Sequence, residues 1–213
     1  MGLEVKICGL NSAPAVDAAV EGGARLTGFV FFPPSPRYLN LTLAADLAAR
    51  VPAGIVKVGL FVDAADDFIA RVVDRVPLEM LQLHGHETPD RVREIKGRFD
   101  LPVMKALAVS APQDRLAIGA YEPVADCLLF DAQPPKGATR PGGNALAFDW
   151  QLLAGLRCSL PWLLAGGITS DNLAEAIRIS GARGVDVSSG VEDRPGLKNV
   201  AKIRAFLALA QAL

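Results

Sequence analysis

The chain has 213 residues, of which 51% are hydrophobic and 21% are charged, and this composition provides enough apolar material for one sizeable core. The 22 basic and 23 acidic residues almost cancel, which argues against the broad charged surface that binds nucleic acid or an anionic membrane. The sequence shows no basic leader followed by an apolar run and no segment of about 18 uninterrupted apolar residues. We therefore expect neither export nor membrane insertion.

The three cysteines are widely spaced along the chain and lack the paired spacing of zinc ligands. They are Cys8, Cys127 and Cys158. An odd number of thiols is best explained by reduced cysteines in a reducing compartment. We predict a cytoplasmic protein without a metal site.

Short aliphatic runs alternate along the whole chain with Ala-, Leu- and Arg-rich stretches of helical period, as in βαβ units around a parallel sheet. The predicted strands are Val5–Cys8, Leu26–Phe31, Val56–Val62, Met80–Leu83, Val103–Ala106, Cys127–Phe130, Trp162–Ala165 and Gly184–Val187. Eight such strands predict an α/β fold of the (β/α)8 TIM-barrel class, with residues 1–213 as a single domain. A doubly wound open sheet is the alternative, but the point where its strand order would reverse cannot be located.

Helix start signals follow several of these strands. They are Ser12, Thr42, Thr88 and Ser170, residue types whose side chains accept hydrogen bonds from the first free amides of a helix. The helical patterns after strands five and six are weaker. Residues 132–148 are rich in proline and glycine, and we expect them to form the loop after strand six. Loops of that length are usually functional or disordered.

Strand periodicity predicts which polar residues face the barrel axis. In strands one, four, six and eight the aliphatic residues suit the helix-facing side, so the alternate residues point inward. This places Cys8, His84, Asp131 and Asp186 inward near the carboxyl ends of their strands, where barrel active sites are built. Each could instead be a satisfied polar core group or a capped turn, and for His84 and Asp186 a supporting role is the preferred interpretation.

Glycine and serine residues cluster in the loops after strands seven and eight, the usual phosphate site of a TIM barrel. The first loop carries Gly166 and Gly167, and the second carries Ser188, Ser189 and Gly190. Glycine lets the backbone approach a ligand closely, and the exposed amides can then bind an anion. A single Gly-Gly pair would indicate only a turn, but two such loops on adjacent strands predict a bound phosphate.

Arg37 lies in a proline-stiffened loop after strand two, spanning residues 32–38. A solvated surface arginine is the simplest interpretation. A rigid loop at the rim of the barrel would also lower the entropic cost of presenting a guanidinium group to a carboxylate.

Several motifs together resemble the phosphoribosylanthranilate isomerase family over essentially the whole chain, in the right order. They are Lys6-Ile7-Cys8-Gly9, Gly28-Phe29-Val30-Phe31, Ser35-Pro36-Arg37-Tyr38, Val58-Gly59-Leu60-Phe61-Val62, Leu81-Gln82-Leu83-His84-Gly85, Pro141-Gly142-Gly143, Phe148-Asp149-Trp150, Ala165-Gly166-Gly167, Asp186-Val187-Ser188-Ser189-Gly190-Val191-Glu192 and Pro195-Gly196 with Lys198. Loop 132–148 departs from the family, because it lacks the Gly-Lys-Thr run found in many members.

The resemblance implies an Amadori rearrangement of N-(5'-phosphoribosyl)anthranilate in tryptophan biosynthesis, with neither a metal nor an organic cofactor. It implies Cys8 as general base, Asp131 as general acid and Arg37 as the partner of the anthranilate carboxylate. Phosphate contacts are implied for the backbone around Gly166, Gly167, Ser188, Ser189 and Gly190, and further substrate contacts for His84 and Asp186. The expected partner is a small phosphorylated molecule, and the chain is expected to be a monomer or a homodimer.

The residue types suit this chemistry. Opening a furanose needs a proton for the departing ring oxygen, which a carboxylic acid can supply. The next proton is removed by a base, and a cysteine serves only as its thiolate. Lys6 could favour that anion, or it could instead pair with a carboxylate in the core.

Three other functions remain open from the sequence. Inward lysines at Lys57 or Lys105 could form a Schiff base and make the chain an aldolase. Cys8 could pair with His84 or His86 in a thiol hydrolase. A phosphate-sensing or scaffold barrel would need the two glycine loops alone.

Overall fold

The computed structural model describes residues 2–133 and 149–213. Its eight parallel strands close into a barrel in chain order, and the last strand pairs with the first. The strands are β1 Glu4–Cys8, β2 Leu26–Val30, β3 Val56–Phe61, β4 Met80–Leu83, β5 Val103–Val109, β6 Cys127–Ala132, β7 Trp162–Leu164 and β8 Gly184–Val187. The predicted (β/α)8 barrel is confirmed, and the open sheet is excluded.

Helices lie between most of the strands and after the last one. In the described ranges they are α1 Ala13–Glu21, α2 Leu41–Ala48, α3 Asp66–Val73, α4 Pro89–Phe99, α5 Ile118–Tyr121, α6 Leu173–Ser180 and α7 Val200–Gln211. Two short strands, β9 Glu192–Arg194 and β10 Leu197–Lys198, form a hairpin after β8. None of the described helices is both long enough and apolar enough to span a bilayer.

The predicted helix starts have mixed outcomes. Thr88 caps α4 by accepting a hydrogen bond from the Arg91 amide, and Ser12 is the N-cap of α1. The start predicted at Thr42 is wrong, because Asn40 caps α2 through the Leu43 amide. Ser170 lies in a turn, and α6 begins later, after its N-cap Asn172.

The weak helical patterns correspond to short helices. After β5 the chain forms a 3-10 helix at Pro112–Ala117 and then the single-turn α5. Before β7 it forms another 3-10 helix at Trp150–Leu153. Most of the loop predicted after strand six, including Pro141-Gly142-Gly143, lies outside the described residues.

Two apolar layers confirm the predicted strand periodicity. The layer between barrel and helices contains Val5, Ile7, Leu81, Leu83, Leu128, Phe130, Val185 and Val187. The barrel interior contains Leu26, Val58, Met104, Ala106, Leu129, Leu163 and Ala165, with Cys8, Val30 and Leu60 above them towards the carboxyl ends of the strands. The interior is therefore packed with side chains, and any ligand must bind above it.

The prediction that Lys57 and Lys105 point inward is wrong. Met104 and Ala106 fill the interior from β5, so Lys105 between them takes the outward side. Lys57 likewise precedes the interior residue Val58, and its Nζ lies 2.8 Å from the Glu79 carboxylate. Neither amine reaches the barrel axis, so the structure gives the Schiff-base aldolase no nucleophile at these positions.

Candidate active site

The mouth of the barrel is built around Cys8, at the carboxyl end of β1. Its neighbour Lys6 is completely buried, and Lys6 Nζ lies 2.7 Å from Asp186 Oδ1 on the adjacent strand β8. A side chain at Gly28 would place its Cβ 3.1 Å from both Cys8 Sγ and Lys6 Nζ, so the glycine leaves space for these groups. The pairing of Lys6 with a core carboxylate, one of the two predicted alternatives, is confirmed.

Burial sets the protonation of this cluster. It raises the pKa of the Cys8 thiol above its ordinary value of 9.0, reinforced by the charge of Asp186 and opposed by Lys6 and Lys198. Burial alone would lower the pKa of Lys6, but Asp186 and Cys8 outweigh it and hold the pKa above 10.5. At neutral pH a mostly protonated thiol therefore stands beside a charged ammonium group.

Asp131 faces the mouth from β6 and contacts the histidine at the end of β4. Its Oδ2 lies 3.2 Å from His84 Nε2, and its Oδ1 accepts a hydrogen bond of 2.7 Å from the Ala132 amide. On the other side of the imidazole, Gln82 Nε2 lies 2.9 Å from His84 Nδ1. If the Gln82 amide donates there, the ring proton is on Nε2 and points at Asp131.

Arg37 is buried, with 4% of its surface exposed, so the interpretation as a solvated arginine is wrong. Its Nε and Nη2 each donate a 2.7 Å hydrogen bond to one oxygen of Glu192, at the start of the β9–β10 hairpin. Lys198 Nζ bonds the same carboxylate at 2.8 Å and also the Ser188 carbonyl at 2.8 Å. Two cations and one anion thus form a buried cluster that joins the loops after β2 and β8.

The charges within this cluster are interdependent. Burial would raise the pKa of Glu192, but Arg37 and Lys198 hold it below its ordinary 4.5. Burial lowers the pKa of Lys198 to about 8, despite the attraction of Glu192. The cluster therefore carries a net positive charge at neutral pH, which diminishes as the pH rises past 8.

The two glycine loops meet beside this cluster. A Cβ at Gly190 would lie 3.2 Å from Thr169 Cα, so the loops after β7 and β8 pack backbone against backbone. Gly166 and Gly167 both have positive φ, at 82° and 64°, a conformation that glycine adopts without strain. The five predicted phosphate-contacting residues, which lie in the loops after β7 and β8, are all partly exposed: Gly166, Gly167, Ser188, Ser189 and Gly190.

The structure thus brings the predicted residues together at one end of the barrel, and it adds others that sequence reasoning missed. Glu192 and Lys198 stood in recognised motifs, yet nothing in their spacing showed that they meet Arg37. Gln82 had the right parity on β4, but its contact with His84 was not predicted. Sequence separation explains why this contact was missed, since Arg37 and Glu192 are 155 positions apart in the chain.

The thiol hydrolase is not supported. Both ring nitrogens of His84 are engaged by Gln82 and Asp131, and neither faces Cys8. The side chain of His86 is 94% exposed and pairs with Asp63. In the ranges described, no group of three or more His, Cys, Asp or Glu residues could hold a metal ion.

Comparison with known proteins identifies the family. The family model described as N-(5'phosphoribosyl)anthranilate (PRA) isomerase matches residues 5–208. The chain belongs to this family. It is 58% identical over 212 residues to the N-(5'-phosphoribosyl)anthranilate isomerase of Paracoccus denitrificans, an alignment covering 100% of this chain and 99% of the relative.

Solved structures of the family agree with the fold. Monomers made from the dimeric phosphoribosylanthranilate isomerase of Thermotoga maritima match with a TM-score of 0.83 and 32% identity, covering 99% of this chain and 100% of that one. A phosphoribosyl anthranilate isomerase in complex with reduced 1-(o-carboxyphenylamino)-1-deoxyribulose 5-phosphate matches with a TM-score of 0.83 and 33% identity, at the same coverage.

Proposed function

We propose that the chain converts N-(5'-phosphoribosyl)anthranilate into 1-(2-carboxyphenylamino)-1-deoxyribulose 5-phosphate, with Cys8 as general base and Asp131 as general acid. Family membership makes it an isomerase of a phosphoribosyl sugar in tryptophan biosynthesis. One observation supports the residue assignment: the thiol of Cys8, on β1, and the carboxyl group of Asp131, on β6, line the same mouth of the barrel. The strands between them are β7 and β8, which lead into the two glycine loops.

Asp131 begins the reaction in this scheme. Its proton passes to the ring oxygen of the ribose as the bond from that oxygen to C1 breaks, and the nitrogen lone pair forms an iminium ion. His84 orients the carboxyl group through its contact with Oδ2. Glycine at position 166 leaves the approach open, because a Cβ there would lie 3.1 Å from Asp131 Oδ1.

Cys8 completes the reaction. Its thiolate removes the proton from C2, the electrons of that bond neutralise the iminium, and the resulting enolamine tautomerises to the ketone. The Lys6 ammonium favours the thiolate over the thiol. Asp186 is held by Lys6 through Oδ1, and we place its Oδ2 as an acceptor for a sugar hydroxyl. Acid and base suffice for every step, so the scheme uses no cofactor.

Arg37 binds the anthranilate carboxylate in this proposal. Glu192 fixes the guanidinium through Nε and Nη2, which leaves Nη1 to donate to the substrate. Glu192 alone would cancel the charge of Arg37, and Lys198 restores a net positive charge. The phosphate lies on the backbone of the loops after β7 and β8, beside Ser188, whose hydroxyl accepts from Lys198 and keeps its own proton for a ligand.

Turnover of the two central variants tests the assignment. We expect Cys8→Ala and Asp131→Asn each to fold and to lose about two to four orders of magnitude in kcat. The assay is the decay of fluorescence of freshly made phosphoribosylanthranilate. Cys127→Ala is the matched control, since this thiol also faces the interior but lies among the apolar side chains. Near-normal turnover in either central variant would remove that residue from the mechanism.

We further propose that residues 1–213 act as one catalytic domain, as a monomer or a homodimer in the cytoplasm. Every proposed site residue belongs to the same barrel. The cytoplasmic location is supported by three free cysteines. Neither a nucleic acid nor a membrane is part of the proposed function.

A further inference from the structure

A buried ion pair lies beside the mouth of the barrel, and no step of the proposed reaction uses it. It joins Lys105, on the outward side of β5, to Glu87 in the loop between β4 and α4. The two side chains are each only 2% exposed, and Lys105 Nζ lies 2.8 Å from Glu87 Oε2. Placing two charges away from water is costly, so such a pair calls for a specific explanation.

The other bonds of Lys105 supply that explanation. Its Nζ also donates to the Gly85 carbonyl at 2.7 Å and to the Leu83 carbonyl at 3.3 Å. These two carbonyls belong to the residues on either side of His84. An ammonium group has three donors, and here it meets three acceptors at once, which a neutral side chain of similar size could not do.

Glu87 fixes the same loop from the opposite direction. It accepts hydrogen bonds from the Gly85 amide at 2.9 Å and from the Asp63 amide, in the neighbouring loop, at 2.8 Å. Gly85 also packs closely against Asp63, because a Cβ at position 85 would lie 2.7 Å from the Asp63 nitrogen. Tyr121 covers the pair, with its ring centroid 5.9 Å from Lys105 Nζ.

We propose that Lys105 is a positioning residue for the general acid, and that with Glu87 it clamps the backbone on both sides of His84. Held in this way, the imidazole keeps Nε2 on Asp131 Oδ2 and fixes the direction in which the carboxyl group delivers its proton. Loops are ordinarily the mobile part of a barrel, whereas proton transfer needs groups fixed to within a fraction of an ångström. The inference rests on the proposed acid role of Asp131.

Two variants test the clamp. Lys105→Met removes the ammonium group, and the double variant Lys105→Met/Glu87→Gln also removes the carboxylate that would otherwise stay buried without a cation. Glutamine keeps the Oε1 acceptor that both the Asp63 and Gly85 amides reach. The double variant is therefore expected to fold even if the single variant does not. Lys57→Met is the matched control, a lysine at an outward strand position that pairs with Glu79 away from the mouth.

We expect both Lys105 variants to lose roughly ten- to a hundredfold in kcat with KM changed by about twofold at most, because the substrate contacts remain while the acid is misaligned. The imidazole resonances of His84, assigned by comparison with His86→Asn, should shift in NMR spectra of both variants. Lys57→Met should change neither quantity.

A folded double variant with wild-type kcat and unshifted His84 resonances would overturn the proposal. Unshifted resonances with reduced kcat would also overturn it, since the loss would then not pass through His84. Failure of the acid assignment is a separate result, detected as full turnover in Asp131→Asn. In that case the resonances of His84 still decide whether Lys105 orients the ring.

Discussion

At the scale of single residues, the protonation of Cys8 and Asp131 must be reconciled with their proposed roles. The productive form has a thiolate and a protonated carboxyl group. Burial raises the pKa of Cys8 above 9.0, so at neutral pH the thiol holds its proton. The productive form, with its thiolate, is thus a minor species at neutral pH.

The direction in which activity changes at alkaline pH should therefore depend on Asp131. In the wild-type enzyme kcat should fall as the pH rises towards the raised pKa of Cys8, because the pair of side chains then loses the proton that the acid delivers. In Asp131→Asn only the thiolate matters, so the residual kcat should rise through the same range. Measurement of both pH profiles checks the prediction, and a variant whose activity still falls would place the acid on another residue, first on Asp186.

The proposed role of Arg37 predicts different effects on substrate binding and on the chemical step. Arg37→Met should raise KM for the natural substrate by about 10- to 100-fold with a smaller effect on kcat, since the carboxylate lies away from the bonds that change. An analogue without the carboxylate should show no such effect. Equal losses for both compounds would assign Arg37 a structural role with Glu192.

Lys198 predicts a pH dependence of binding. Its pKa is lowered to about 8, mainly by burial, so the positive charge of its cluster with Arg37 and Glu192 declines above that pH. We expect KM of the wild-type enzyme to rise between pH 8 and 9. Lys198→Met should have a high KM that is flat over the same range. Steady-state kinetics at four or more pH values would separate this effect in KM from the limb in kcat.

At the scale of elements, the strands were predictable because each one is a short aliphatic run between stretches of helical period, and side chains along a strand alternate between its two faces with a period of two. The same periodicity predicts Cys8, His84, Asp131 and Asp186 on the inward side, and the barrel confirms their placement. The error at Lys105 came from expecting a reactive amine inward, although Met104 and Ala106 on either side already filled the interior.

Contacts between distant loops could not be predicted in the same way. The Arg37–Glu192 pair depends on the return of the β9–β10 hairpin across the mouth, where Gly196 approaches Pro36 so closely that a Cβ would lie 3.1 Å from its carbonyl carbon. No local pattern encodes such a crossing. The contacts of Lys105 with the residues around His84 were unpredictable for the same reason, since its side chain on β5 donates hydrogen bonds to backbone carbonyls at the end of β4.

The proposed phosphate site in the loops after β7 and β8 predicts that inorganic phosphate binds the enzyme and that one substitution abolishes this binding. Inorganic phosphate should inhibit competitively and raise Tm, because it binds the folded state alone. Ser189→Asp should abolish both effects by repulsion between like charges. The control is Ala53→Asp, which adds the same charge in an exposed turn before β3. A Ser189→Asp enzyme that still responds to phosphate would move the site to another loop.

At the scale of the whole molecule, the barrel closes where β1 meets β8, and a charged pair lies on that closure. Lys6 and Asp186 are opposite each other in the strand register, and Lys6 is completely buried. Folding of the whole domain is worth only about 5–15 kcal/mol. Loss of one partner from a buried ion pair costs about 3–5 kcal/mol, so this one contact is a large fraction of the total.

The Lys6–Asp186 pair therefore predicts how the stability of Asp186→Asn depends on pH. In the wild type the pKa of Lys6 is raised above 10.5, so its stabilisation is present at neutral pH and is lost only as the pH rises through that higher value. Removing Asp186 leaves burial as the dominant influence, which lowers the pKa of Lys6 in the folded state. The unfolded chain then binds more protons between that lowered pKa and 10.5, and the variant gains stability as the pH rises.

Urea unfolding at pH 7 and pH 9.5 measures this difference. We expect Asp186→Asn to be about 3 kcal/mol less stable than wild type at pH 7, with a smaller deficit at pH 9.5. The titration of Lys198 occurs in both proteins and cancels in the comparison. Glu79→Gln is the control, because its partner Lys57 lies at an outward position and Glu79 is half exposed, so it should cost about 1 kcal/mol or less at either pH. A deficit in Asp186→Asn that is equal at both pH values would show that the closure depends on the shape of Asp186 and not on its charge.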